Sequence, residues 1–188
     1  MMEGIASNTE KRIFYISNEV DNESMGAICF SLLFLLKEDD NNEKEKRDFT
    51  REPIHIYINS FGGSIYDMWS LIDIITNSKT PIHTYCTGYA MSAAFIIFLA
   101  GHKRFCYKHS TFMYHQSYFC IQGKYKDLVE TREEQDHLQK TIEEYVVERT
   151  KLSKEKIDEI RDKKVDMYIH CDKAVEYGIV DEIIGASN

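Results

Sequence analysis

Three short runs rich in Ile, Tyr and Phe constrain this chain most: "RIFYIS" (12–17), "IHIYIN" (54–59) and "PIHTYCTG" (81–88). Each reads as a strand, being short, aromatic and β-branched. Each is followed by a helical pattern. "ESMGAICFSLLFLLKE" carries apolar residues at 25, 28, 29, 32, 33 and 36, which is helical spacing, and Asp21 or Asn22 stands where an N-cap belongs. "SIYDMWSLIDIITNS" puts Ile65, Met68, Trp69, Ile72 and Ile75 on one face behind a candidate cap, Ser64. "SAAFIIFLAG" is apolar all round and reads as a buried helix. Strand followed by helix, repeated, favours an α/β fold: a mostly parallel sheet covered by helices.

The rest of the chain adds to this frame. "KRFCY" and "TFMYHQSYFCIQG" read as strands or a hairpin. "KDLVETREEQDHLQKTIEEYVVERTK" is a long polar helix with a thin apolar seam at Leu128, Leu138, Ile142 and Tyr145. A helix this long and polar presents a solvated face or rests on a partner. "SKEKIDEIRDK" follows with Ser153 as its cap, then the helix "DKAVEYG" and the strand "IVDEII". "DDNNEKEKRDFTREP", charged and nearly free of apolar residues, reads as a solvated loop.

With 188 residues the chain suits one compact domain, 1–188. Acidic residues outnumber basic ones 31 to 23, for a net charge of −8, which argues against a phosphate-gripping nucleic-acid partner. The five cysteines are scattered without a C-x-x-C pair, so neither a metal site nor a disulfide framework is expected. "MMEGIASNTEKR" lacks the pattern of a signal peptide. The longest apolar runs, "FSLLFLL" and "AAFIIFLA", fall well short of the roughly 20 residues that span a bilayer. A cytoplasmic protein without a membrane partner is the expectation.

Four pieces could carry chemistry. In "INSFGGS" a Gly-Gly pair after a buried strand can turn sharply and bare its N–H groups, or serve as a plain strand-to-helix turn. Ser92, at the head of the buried helix, is an N-cap or a nucleophile at the positive end of the helix dipole. His115, in "TFMYHQS", is a core histidine or a base. Asp166, in "KKVDMYIH", is by itself a turn aspartate, and Asp172 could equally cap the last helix. Each piece alone favours its structural role.

Jointly, their order and spacing resemble the ClpP family, the proteolytic subunits of ATP-dependent Clp proteases, over roughly residues 11–185. "YINSFGGS" resembles the family's Y-I-N-S-P-G-G-S. "GYAMSAA" lies where the family has G-Q-A-A-S-M-G, and "KRFCYKHSTFMYHQS" resembles K-R-x-x-L-P-x-S-x-x-M-I-H-Q-P. "DMYIHCDKAVEYGIVDEII" resembles D-x-F-x-x-x-x-x-A-x-x-Y-G-[LI]-[VI]-D. The resemblance implies a crotonase-like stack of ββα units with a protruding handle helix, here at about 126–150. It implies Ser92 as nucleophile, His115 as general base and Asp166 as the acid that orients it. The backbone N–H groups of Gly63 and Ala93 would form the oxyanion hole. No metal or other cofactor is implied.

It implies a serine endopeptidase acting on unfolded polypeptides inside a homo-oligomer of stacked heptameric rings, a tetradecamer, fed by an AAA+ Clp unfoldase. Two other readings accompany it: a regulatory ring subunit with little activity, and a crotonase-like enzyme acting on acyl-CoA. The chain also departs from the family pattern. A short polar tail, 1–10, precedes "RIFYIS" where the family has an axial loop and a helix. His55 replaces an aromatic of the docking groove, whereas Tyr57 is kept. Phe61 replaces a proline, Ala94 a glycine and Ser117 a proline; "SYFCIQGKYK" lacks a Gly-Gly pair, and residues 37–52 form a charged insertion placed as a surface loop.

Overall fold

The computed structural model describes residues 5–120 and 122–185. Its centre is the strand run predicted above. Strands β2 (Ile13–Ile16), β3 (Ile54–Ser60) and β4 (Ile82–Met91) lie side by side and parallel. Along β3 the residues are alternately buried and half-buried, with Ile54, Ile56 and Ile58 fully inside. This period of two gives the strand one face in the core.

β4 is long enough to serve two partners. Its first half pairs in parallel with β5 (Lys103–Tyr107), and its last residues, Tyr89–Met91, pair with β6 (Thr111–Tyr114). β6 turns antiparallel to β7 (Met167–His170), and β5 carries β8 (Glu182–Ile184) at its outer edge. This branching leaves the ends of β4, β6 and β7 together, and the candidate site residues sit there.

The helices are α1 (Asn22–Glu45), α2 (Ile65–Thr76), α3 (Ala93–Leu99), α4 (Tyr125–Arg149), α5 (Lys154–Lys163) and α6 (Cys171–Glu176). α1 packs on α2 and α2 on α3. Every residue of α3 is buried, as its unbroken apolar run requires. Its last carbonyls are met by the Arg149 guanidinium: Nε donates to Leu99 O at 2.9 Å and an Nη to Gly101 O at 3.0 Å. A cation at a helix C-terminus answers both the orphan acceptors and the dipole. Asp21, Ser64 and Ser153 cap their helices as expected, whereas α6 is preceded by His170, so Asp172 lies inside the helix and does not cap it.

Several expectations need correction. The charged stretch at 37–52 is not all loop, because α1 continues through it to Glu45. Its carboxylates find fixed guanidinium partners, which composition alone does not reveal. Arg51 bonds Asp40 and Glu43, each at 2.7 Å. Buried Asp39 bonds Arg12 at 2.6 Å and accepts from Thr80 at 2.7 Å. On the same helix Met25, Ile28, Cys29 and Leu32 are buried as expected, but Leu33, expected on that face, is exposed, and Leu35 is buried in its stead. The tail 1–10 contains a strand, β1 (Ile5–Asn8), antiparallel to β2; residues 1–4 lie outside the described ones. In "TFMYHQSYFCIQG" only Thr111–Tyr114 is strand, so His115 follows a strand end and does not sit within one; Ile121 lies outside the described residues. No helix of the described residues is long and apolar enough to cross a membrane. The five cysteines are unpaired, and all but Cys120 are buried.

Candidate active site

Ser92 stands at the bend between β4 and α3 with φ 52° and ψ −128°. A non-glycine residue there costs on the order of 1–3 kcal/mol and persists only where its surroundings hold it. Two features hold it. The Ser92 N–H donates to Met113 O on β6 at 3.0 Å. On the other side lies Gly62, where a Cβ would come within 2.9 Å of Met91 O, Ala93 N and Ser92 Cβ. The hydroxyl makes no capping bond to the helix it heads. It lies 2.8 Å from His115 Nε2.

His115 follows the last residue of β6, and Asp166 precedes the first residue of β7. The antiparallel pairing Tyr114↔Met167 therefore brings both side chains to the same end of the ladder. His115 Nδ1 is 3.5 Å from Asp166 Oδ1. That exceeds the about 2.7–2.9 Å of a tight charge-assisted bond. The Asp166 side chain is 54% exposed and that of His115 26%. Ser92, His115 and Asp166, far apart in sequence, thus form one contiguous chain of polar atoms.

Gly63 reaches the same place by a different route. Val20 N donates to Gly62 O at 2.9 Å, and Ser64 N donates to Val20 O at 2.7 Å. This is a parallel bridge, so the N–H of Gly63 points to the opposite side. Gly63 has φ 152°, and a Cβ on it would run into Val20 O, so only glycine fits. The second backbone donor, Ala93 N–H, is the first of α3 and has no partner within its helix. Gly63, Ser92, Ala93 and His115 line one cavity of about 280 Å³, whose walls include Met68, Ile96 and Ile142.

The loop after His115 is tied to α4. Ser117 N–H donates to Gln139 Oε1 at 2.9 Å, and Gln139 Nε2 donates to Glu143 Oε1 at 2.9 Å. Glu143 also meets Lys154 at 2.9 Å and Arg161 at 3.0 Å. Burial alone would raise the Glu143 carboxyl, but its three partners outweigh that and hold it below its usual value. No sequence pattern pointed to Gln139, or to Glu19, whose side chain borders the cavity. Both are single polar residues in stretches rich in them.

A serine hydroxyl against an imidazole, an imidazole facing a carboxylate, and the backbone amides of a glycine and an alanine that line the same cavity are the parts of acyl transfer through a covalent intermediate. Comparison with known proteins agrees in kind. The family model for Clp protease matches residues 3–187. The chain belongs to the Clp protease family. It is 33% identical over 176 residues to "ATP-dependent Clp protease proteolytic subunit 1" of Prochlorococcus marinus (strain MIT 9312), covering 93% of this chain and 84% of that one. It is 30% identical over 176 residues to the corresponding subunit 2 of Parasynechococcus marenigrum (strain WH8102), covering 93% and 83%. A subunit 1 from Rhodopirellula baltica (strain DSM 10527 / NCIMB 13988 / SH1) is 30% identical over 177 residues, covering 93% and 73%. Membership of the Clp protease family supports a serine-type peptidase role, and the parallel sheet with its helices is consistent with the ClpP-like fold.

Proposed function

We propose that the protein is a serine endopeptidase that hydrolyses peptide bonds of unfolded polypeptides as a subunit of a ring-shaped assembly. Ser92 Oγ attacks the peptide carbonyl, and His115 Nε2 takes its proton and returns it to the leaving amine. Asp166 holds the Nδ1–H tautomer and stabilises the imidazolium. The N–H groups of Gly63 and Ala93 receive the oxyanion; in enzymes of this kind one such donor is worth roughly 10²–10³ in rate. Water then attacks the acyl-enzyme with His115 again as base. The 2.8 Å contact between Ser92 Oγ and His115 Nε2 carries this reading.

An uncovered apolar stripe on α1, Phe30, Leu33 and Phe34, supports assembly, because exposed aromatics at helical spacing suit a partner surface. The family relationship supports homo-oligomeric heptameric rings, stacked as a tetradecamer, and feeding by an AAA+ unfoldase. A cytoplasmic location agrees with the free cysteines.

Fluorophosphonate labelling tests the chemistry. Covalent modification of Ser92, abolished in Ser92→Ala, is the expected result. An intact oligomer that takes up no label would leave the scaffold as architecture and refute the nucleophile.

A further inference from the structure

The cavity at Ser92 does not end at Gly63. A second concavity, of about 420 Å³, adjoins it and is lined by Ser17, Asn18, Glu19, Phe61, Gly62, Gly63 and Tyr89. Glu19 and Gly63 border both spaces. The two spaces differ in chemistry. The one holding Ser92 has apolar walls, Met68, Ile96 and Ile142. The other presents a carboxylate and two aromatic faces: the Phe61 ring lies 4.3 Å from that of Tyr89, centre to centre, and Phe61 is 68% exposed.

Glu19 is exposed on the turn after β2, its Cγ 2.9 Å from where a Gly63 Cβ would stand. It makes no ion pair among the described residues, and neither lining contains a Lys or Arg. The carboxylate therefore stands uncompensated beside a candidate oxyanion donor, in a chain of net charge −8. A carboxylate and two tilted aromatic rings lining one concavity are the chemistry that receives a cationic side chain: the rings take its stem and attract its charge, and the carboxylate pairs with its head.

We propose that Glu19, Phe61 and Tyr89 form a cation-recognising subsite for the residue that follows the scissile bond. This inference rests on the assignment of Ser92 as the attacking group. A substrate whose acyl-side residue fills the apolar cavity at Ser92 crosses Gly63 and enters the second space with its leaving-group side. The polypeptides processed best then carry lysine or arginine directly after the bond to be cut. Acidic residues there are disfavoured, because Glu19 repels them at close range.

The test reads binding, so that it does not depend on turnover. Fluorescein-labelled peptides that differ only in Lys, Gln or Glu after an apolar residue are titrated against the assembled Ser92→Ala protein by anisotropy. The Lys peptide is expected to bind roughly five- to tenfold more tightly than the Gln peptide at low ionic strength, and the Glu peptide more weakly than both. Raising the salt narrows the spread. Glu19→Gln, added to Ser92→Ala, brings the Lys and Gln peptides within about twofold, and Phe61→Ala weakens all three. Equal affinity of Ser92→Ala for the Lys, Gln and Glu peptides overturns the subsite, and needs no further variant to fold. The fluorophosphonate result bears separately on the nucleophile, so failure of the chemistry and failure of the subsite are read on different instruments.

Discussion

At the scale of single residues, the contact between His115 and Asp166 is the loosest link in the proposed chemistry, at 3.5 Å with an exposed carboxylate. Catalytic hydrogen bonds of this kind commonly tighten when substrate binds. Asp166→Asn should leave folded protein yet lower kcat on a fluorogenic peptide, by up to roughly 10⁴ where the carboxylate fixes the tautomer, and should slow fluorophosphonate labelling with it. Wild-type-like turnover would remove Asp166 from the mechanism. Ser92, His115 and Asp166 were legible in the sequence only as a set, through family resemblance; each taken alone reads as a cap, a core histidine or a turn residue. The sequence carried no sign of the positive φ at Ser92 or of the Gly63 amide turned away from Val20, since both depend on segments that meet only in the fold. Ser117 shows how a departure from the family pattern is used. Its N–H, which proline lacks, donates to Gln139 and ties the loop after His115 to α4.

At the scale of elements, the strand–helix alternation was plain because the apolar periodicities are strong. The last two turns of α1 were not, because charge partners hold them where apolar spacing does not. Arg51 draws the carboxyl groups of Asp40 and Glu43 below their usual values, chiefly through direct hydrogen bonds. A depressed carboxyl stabilises the fold above its ordinary pKa and loses that contribution as pH falls through the folded-state value. Acidification below about pH 4 should therefore release this end of α1. Arg51→Met should do the same at neutral pH. Amide hydrogen exchange should quicken across 38–45, while 25–35, anchored by Met25, Ile28 and Leu32, stays protected. Uniform protection along α1 in Arg51→Met would show that these pairs are ornamental, as many surface ion pairs are.

At the scale of the whole molecule, the uncovered surface is the informative part. Phe30 is 75% exposed and Phe34 60%, one turn apart on α1, and the first half of α4 is largely solvated. Sedimentation of the wild-type protein should give a ring-sized species, a multiple of the 22.0 kDa chain. Phe30→Asp combined with Phe34→Lys should shift it to smaller species without unfolding the chain, since neither ring contributes to the core. A monomer at micromolar concentration for the wild type would count against assembly. Composition could not locate this surface, because Phe30 and Phe34 read as ordinary members of an apolar run.

The interlock between the Gly-Gly pair and the serine bend has a consequence for how such a site can change. Position 62 admits no side chain while residues 91–93 keep their path, and position 63 admits none while Val20 keeps its own. Three stretches of chain, none adjacent in sequence, are thus fitted to one another like parts cut from the same die. Any one of them can drift only if the others are recut with it, so change is easiest at the exposed rim, at Phe61, and leaves the seat of the hydroxyl where it was.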